Sequence, residues 1–437
     1  MIRTACTRAQ AQPVVFAAMY LYPYNKIAYL MLSDLSFESL CIHGAHQPDA
    51  HHAHLTPVYA SSTYTFGSAQ QAADIFTGKE SGYVYGRFGN PTGDEVARKI
   101  ALLEAFGLKE KDGQPLQLKA LLHASGMAAI TTMVLGNLKA GDKIISHPSL
   151  YGGTQELIDK ILPGLGIQTR ITDFQDPEAV RQIIRQDKSI RMMYVETPAN
   201  PTLQIVDLEV FCKLGKEEGL IVCADNTFAT PYLQQPFQYG ADFVMHSTTK
   251  YLNGHGTAIG GILIGRDDER MNTSITKAYR LLGGNSNPFD AFLLGNGLRT
   301  LPLRMDRHCS NAMEIAAFLA RHPAVEQVNY PGLEDHPGHK IAQNQMRFFG
   351  AMLSFELKGG LEAGKKCLDA LRLCTHAVSL GTCDTLVSHP ASTTHVGVPR
   401  EARIAAGITD GLIRMSIGLE GIEDLKADLE QALEAAG

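Results

Sequence analysis

The stretch Phe243–Val244–Met245–His246–Ser247–Thr248–Thr249–Lys250–Tyr251 is an apolar run that closes on three hydroxyls and then one lysine. Leu252–Asn253–Gly254–His255–Gly256 follows as a polar turn bracketed by glycine. The run therefore reads as a buried strand with an amine at its mouth. A lysine placed this way can act as an amine nucleophile, and a carbonyl partner would be held as a Schiff base. A strand-end lysine is by itself more often a solvated charge, so the reading depends on what the neighbouring strand ends carry.

Working outward, apolar runs alternate with helical patterns for some 140 residues. Strands are expected at Lys119–Leu122, Lys143–Ser146, Thr169–Ile171, Arg191–Val195, Leu220–Ala224, the opening run and Ala258–Ile264. Between them lie helices from Met127 through Leu135, from Thr154 to about Leu162, over Pro177–Arg185 and over Leu208–Glu218. That alternation predicts an α/β fold built on a mostly parallel seven-stranded sheet sandwiched by helices. Beyond it, apolar spacing from Phe289 to Phe318 predicts one long helix bent near Pro302. Ala351–Leu357, Gly364–Arg372, Ala377–Ser379, Leu412–Ile417 and a last helix over Glu423–Leu433 make a smaller C-terminal α+β unit. The expected division is an N-terminal extension and arm over 1–88, a large domain over 89–301 and a C-terminal domain over 302–437. The charged segment from Gly107 to Leu118, marked by Gly and Pro, reads as a surface insertion.

Composition narrows the class. A chain of 437 residues with 41 glycines, 20 prolines and 19% charged residues suits a loop-rich enzyme rather than a fibrous or disordered protein. No basic stripe or finger-like Cys/His spacing accompanies the net charge of −6, which argues against nucleic acid as a partner. Eight cysteines without a CxxC pair point to reduced thiols and a cytoplasmic setting. Arg3 and Arg8 precede the apolar Val14–Met19, but Pro23 and Lys26 break that run. It is too short for a membrane span or signal peptide, and Met31 opens a more ordinary start. His43, His46, His51, His52 and His54 cluster with only Asp49 nearby, so they are expected to be loop histidines and no metal site is predicted.

Ligands of such a sheet sit beyond the carboxyl ends of its strands. There Ser125–Gly126–Met127 opens a helix with exposed N–H groups, a phosphate cradle by geometry and dipole. Tyr151 presents a flat ring, Asn200 follows the fourth strand and Asp225 ends the fifth. Ser247 and Thr249 flank Lys250 and can donate to phosphate oxygens. Arg414, in the run Ile413–Arg414–Met415–Ser416, is a candidate fork for a substrate carboxylate. A Schiff-base lysine, an acid for a pyridine nitrogen, an aromatic ring and phosphate donors together describe a site for pyridoxal 5'-phosphate.

The chain resembles the Cys/Met-metabolism (trans-sulfuration) family of pyridoxal-phosphate enzymes over roughly Phe37 to Ala435. The resemblance is carried by Tyr85–Gly86–Arg87 with Asn90–Pro91–Thr92, Ser125–Gly126–Met127, Glu196–Thr197–Pro198–Ala199–Asn200–Pro201, Asp225–Asn226–Thr227, Ser247–Thr248–Thr249–Lys250–Tyr251, Ser388–His389–Pro390–Ala391–Ser392 and Leu412–Ile413–Arg414. It implies the aspartate-aminotransferase type of fold (fold type I). It also implies that Lys250 forms the internal aldimine and shuttles protons, that Tyr151 stacks on the cofactor ring and activates the departing group, and that Asp225 pairs with the ring nitrogen. Ser125, Gly126, Met127, Ser247 and Thr249 would hold the phosphate, joined by Tyr85 and Arg87 from a neighbouring subunit of a homotetramer built from dimers. Asn200, Ser379 and Arg414 would fix the carboxylate of a small amino-acid substrate.

Within that family the sequence points first to γ-replacement on an O-acyl-L-homoserine through a vinylglycine-type intermediate. The alternative is γ-elimination from L-methionine or L-cystathionine. Gly407–Ile408–Thr409–Asp410–Gly411 and Asn311–Ala312–Met313 resemble the family's methionine γ-lyases. Gly153, however, stands where those lyases usually carry cysteine, and Asp384 where the family usually has glutamate.

Overall fold

The computed structural model describes residues 35–437 except 47, 48, 395, 398 and 406. The reading of residues 1–32 therefore lies outside the described residues. Seven strands form the large sheet: β1 (Leu118–His123), β2 (Lys143–Ser146), β3 (Gln168–Ile171), β4 (Ile190–Glu196), β5 (Ile221–Asp225), β6 (Phe243–His246) and β7 (Gly261–Arg266). Their order is β1-β7-β6-β5-β4-β2-β3, with β7 antiparallel to both β1 and β6 and the other pairings parallel. The Val, Met, Cys and Ala side chains of β4, β5 and β6 are almost all buried, as expected when helices cover both faces of a parallel sheet. The register sets Glu196 opposite Asp225 and Asp225 opposite Met245, so these three strands end at one level.

Local chemistry fixes the helices that flank this edge. Asn90 caps Pro91–Glu104 by accepting from the Thr92 N–H at 3.0 Å, with proline in the first turn and Asp94 near the positive end of the dipole. Ser125 caps Gly126–Asn137 in the same way, accepting from the Ala128 N–H at 3.1 Å. That helix packs on β6 and β7, so its N-terminus faces the end of the opening run.

Four expectations are corrected. The helix placed over 154–162 is a short α-helix, Gly152–Glu156, followed by a π turn, Leu157–Ile161, and a 3₁₀ turn, Leu162–Leu165. The single bent helix over 289–318 is two helices, Pro288–Leu298 and Leu301–Leu319. Pro302 has no N–H for the Leu298 carbonyl and its ring crowds that group, so the chain closes instead on 3₁₀-type bonds from Arg299 and Thr300. The last strand of the large sheet begins at Gly261 rather than Ala258, because Gly260 is tied to the Thr249 hydroxyl and not to a neighbouring strand. The strand expected at Ala377–Ser379 lies earlier, at Thr375–His376.

The second sheet contains β8 (Val325–Asn329), β9 (Met352–Leu357), β10 (Thr375–His376), β11 (Leu386–Ser388) and β12 (Leu412–Ser416), in the order β10-β11-β12-β9-β8. Helix Leu301–Leu319 reaches from this half back to the lysine. Its buried Arg304 donates to the Tyr251 and Gly297 carbonyls, each at 2.8 Å. Gly254 turns with φ +72° against this guanidinium, and a Cβ there would lie 2.0 Å from Arg304 Nη1. The turn after Lys250 is thus fixed by a side chain more than 50 residues away.

Beneath the lysine, His246 Nε2 and Glu104 Oε1 are paired at 2.6 Å with both side chains 0% exposed. Asn226 donates to the same Glu104 oxygen at 3.1 Å and exchanges bonds with Gln234. Removing one member strands the rest in a dry interior. Glu104→Ala is expected to lower unfolding free energy by about 3–5 kcal/mol in urea denaturation; a loss under about 1 kcal/mol would contradict this role for the pair.

Candidate active site

Lys250 lies past the end of β6, with Nζ 2.8 Å from Ser379 Oγ. Among the described residues no carboxylate forms an ion pair with it. Burial, and next the charge of Arg414, lower its amine from 10.5 to about 8. Ser379 holds its hydroxyl there from a backbone at φ 111°, a region that side-chain-bearing residues rarely adopt. Its carbonyl accepts from Arg414 Nη2 at 2.8 Å, while Arg414 Nη1 donates to Asn200 Oδ1 at 3.1 Å. Arg414 Nε is buried without a partner, and burial depresses the guanidinium. Lys250, Ser379, Arg414 and Asn200 are therefore one connected group drawn from both sheets.

Asp225 ends β5, buried. Its Oδ1 accepts from the Thr227 N–H at 3.0 Å and the Thr227 hydroxyl at 2.5 Å, and its Oδ2 from the Tyr194 hydroxyl at 3.2 Å. The Ser247 N–H donates to Thr227 Oγ1 at 2.9 Å, which ties the Asp225 turn to the lysine segment. Burial raises the Asp225 carboxyl above its usual range. No cation among the described side chains pairs with it, so the site supplies an acid awaiting a positive partner.

The phosphate candidates converge at the start of helix Gly126–Asn137. A Cβ on Gly126 would lie 3.0 Å from Ser247 Cβ, so any side chain there would crowd Ser247 and the glycine allows the helix start to sit this close. Helix geometry leaves the Gly126 and Met127 N–H groups open. The Ser125 hydroxyl accepts from the Ala128 N–H and keeps its own proton to donate, whereas the Thr249 hydroxyl both donates to and accepts from Gly260. Tyr151 begins helix Gly152–Glu156 with its side chain 50% exposed. Its ring lies back over Gly153, where a Cβ would meet Tyr151 Cε1 at 2.6 Å and Met127 Sδ at 3.2 Å.

Among the described residues, Tyr85 and Arg87 are not joined to this hydrogen-bonded group. Tyr85 is 43% exposed, and Arg87 donates to the Arg280 carbonyl with its guanidinium 4.8 Å from the Phe88 ring centre. No hydrogen bond among the described residues joins either to Lys250. Sequence reading gave no role to Tyr194 and Glu196, or to Thr227 beyond its place in a motif. Their partners depend on strand register, and only the Asp-x-Thr spacing of Asp225 and Thr227 offered a local signal. A concavity of about 740 Å³, lined in part by Lys139, Lys188, Arg191 and Arg270, lies at the opposite, N-terminal ends of β2, β4 and β5 and includes none of these residues.

An open N–H pair beside a hydroxyl, an unpaired amine near 8 and a buried acid without a cation fit pyridoxal phosphate, and together with the fold they define an enzyme of fold type I that uses this cofactor. The profile of the Cys/Met metabolism PLP-dependent enzymes matches residues 38–434, and the chain belongs to that family. It is 47% identical to an L-methionine gamma-lyase of Fusobacterium nucleatum subsp. polymorphum over 379 residues, 86% of this chain and 93% of that one. Among solved structures it is similar to cystathionine gamma-lyase from Lactobacillus plantarum, with TM-score 0.83, 37% identity and coverage of 92% and 99% of the two chains. It is also similar to cystathionine gamma synthase from Xanthomonas oryzae pv. oryzae, with TM-score 0.84, 37% identity and coverage of 92% and 98%. The chain is thus a pyridoxal-phosphate-dependent trans-sulfuration enzyme that acts on sulfur amino acids.

The lowered amine has a measurable consequence. Lys250 sheds its proton as pH rises through about 8, so reconstitution of the apoenzyme with pyridoxal phosphate should accelerate with a midpoint there. Arg414→Gln removes a like charge and should move the midpoint upward. A midpoint close to the ordinary lysine value of 10.5 would contradict the burial argument.

Proposed function

We propose that this protein is a γ-elimination lyase that converts L-methionine or L-cystathionine to 2-oxobutyrate, ammonia and a thiol. One observation carries the choice: identity is 47% to the L-methionine gamma-lyase and 37% to the cystathionine gamma synthase. This reverses the order suggested by the sequence, in which γ-replacement on an O-acyl-L-homoserine came first. The second reading keeps one point in its favour, the bare Gly153 beneath the Tyr151 ring.

When bound, pyridoxal phosphate supplies the sink for the electron pair released as a Cα–H bond breaks. Lys250 holds the cofactor and then, as a free amine, takes and returns protons at Cα and Cβ. Its lowered affinity for protons suits a base working near neutral pH. Asp225 would pair with the ring nitrogen, and Tyr151 would cover the ring and give a proton to the departing sulfur. Gly126, Met127, Ser247 and Thr249 receive the phosphate beside Ser125, and Tyr85 and Arg87 reach it from a second copy of the chain in a homotetramer of dimers. The exposure of Tyr85 supports that last assignment. Arg414, Asn200 and Ser379 clamp the substrate α-carboxylate, and the Arg414–Asn200 bond of 3.1 Å sets the fork in place.

Incubation with L-methionine, L-cystathionine, O-acetylhomoserine and O-succinylhomoserine, each with and without sulfide or cysteine, tests the reading. Release of 2-oxobutyrate from methionine or cystathionine alone is expected. Turnover only of the acylated homoserines, and only with a thiol present, would restore γ-replacement. Lys250→Ala is expected to cut turnover by roughly a thousandfold or more. Arg414→Lys keeps the charge but loses the planar fork, so KM should rise by about tenfold or more; an unchanged KM would remove Arg414 from the clamp.

A further inference from the structure

Glu196 ends β4 directly opposite Asp225, and both side chains are buried. Two carboxylates side by side in a dry interior oppose each other's ionisation, a cost the fold must offset. Glu196 has no role in the chemistry above, yet both of its oxygens are engaged. Oε2 accepts from the Tyr151 N–H at 2.8 Å and Oε1 from the Asn200 N–H at 3.0 Å. Its own N–H donates to His147 Nε2 at 3.0 Å, which seats the end of β4 against the segment after β2. Tyr151 and Asn200 are on different loops, and one carboxylate spans them. Asn200 in turn holds Arg414 through Oδ1.

We propose that Glu196 is a positioning residue: its carboxylate clasps the Tyr151 and Asn200 loops at a fixed spacing beside Asp225, and so couples the ring-stacking side of the site to the carboxylate-binding side. The inference rests on the functional reading above. The clasp needs two acceptor oxygens on one side chain. A carboxamide of the same size has one, and its NH2 would face an N–H donor. Glu196→Gln therefore frees one loop with side-chain volume nearly unchanged. Glu196→Asp keeps the charge but is one methylene too short to reach both amides.

The test uses the holoenzyme, with L-methionine and O-acetyl-L-homoserine as probes because both carry the α-carboxylate. In Glu196→Gln the visible absorbance of the lysine-linked cofactor should persist, since Lys250 and Asp225 are intact. Freeing the Asn200 loop raises KM by roughly tenfold to a hundredfold, the scale of a lost hydrogen bond to a charged group. Freeing the Tyr151 loop changes the visible circular dichroism of the bound cofactor. At least one of these changes is expected, and Glu196→Asp should reproduce it, which keeps the test open if the glutamine variant does not fold. If both variants retain the wild-type KM and circular dichroism and shift only the unfolding midpoint, Glu196 serves the fold alone and the proposal is wrong. A wild-type protein that shows no visible cofactor absorbance would instead overturn the functional reading itself.

Discussion

A half-buried lysine amine with no carboxylate paired to it among the described residues is the constraint on which the rest depends. In water such an amine is charged and inert as a nucleophile. Burial makes the charge costly, and the nearby Arg414 makes it costlier, so Lys250 is poised near 8. Nothing local in the chain would hold a residue there. The Arg304 bonds to the Tyr251 and Gly297 carbonyls fix the turn that follows, and the strained Ser379 offers the amine its hydroxyl. Beneath it, the fully buried Glu104–His246 pair ties the end of β6 to helix Pro91–Glu104.

The same logic extends to the acids. Parallel pairing of β4 and β5 puts Glu196 beside Asp225, and burial raises both carboxyls, Glu196 further through the neighbouring Asp225 charge, while the two backbone N–H groups on Glu196 favour its ionised form. The structure separates their duties through their partners. Asp225 faces hydroxyl donors and lacks a cation, which leaves it available to a charged ring nitrogen. Glu196 is consumed by two backbone N–H groups. Two carboxylates of similar burial thus acquire different roles from a few ångströms of geometry, which is how sites of this kind divide labour among like residues.

Much of the sheet was legible, because apolar runs bounded by turn residues mark its central strands, whereas the edge strand Gln168–Ile171 is polar and half exposed. The positions of Lys250, Asp225 and the Ser125–Gly126 cap followed from the rule that ligands gather at strand ends. What was hidden had physical reasons. The break between Leu298 and Leu301 lies within an apolar pattern that runs on unbroken, and only the Pro302 ring stops the helix. The Glu104–His246 contact joins residues 142 apart, and the Glu196 clasp joins residues 45 apart, through a register that no periodicity encodes. Tyr85 and Arg87, which form no hydrogen bond with Lys250 among the described residues, illustrate another limit, since the proposed contribution of a second copy cannot be read from one chain.

Borohydride reduction of the holoenzyme, followed by peptide mass spectrometry, tests the central claim most directly. Reduction fixes the pyridoxyl group on whichever amine carries it. The account predicts one labelled peptide, with the modification on Lys250 and none on Lys99 or Lys119, whose amines burial also lowers. A label on another lysine, or a cofactor released unmodified, would contradict it.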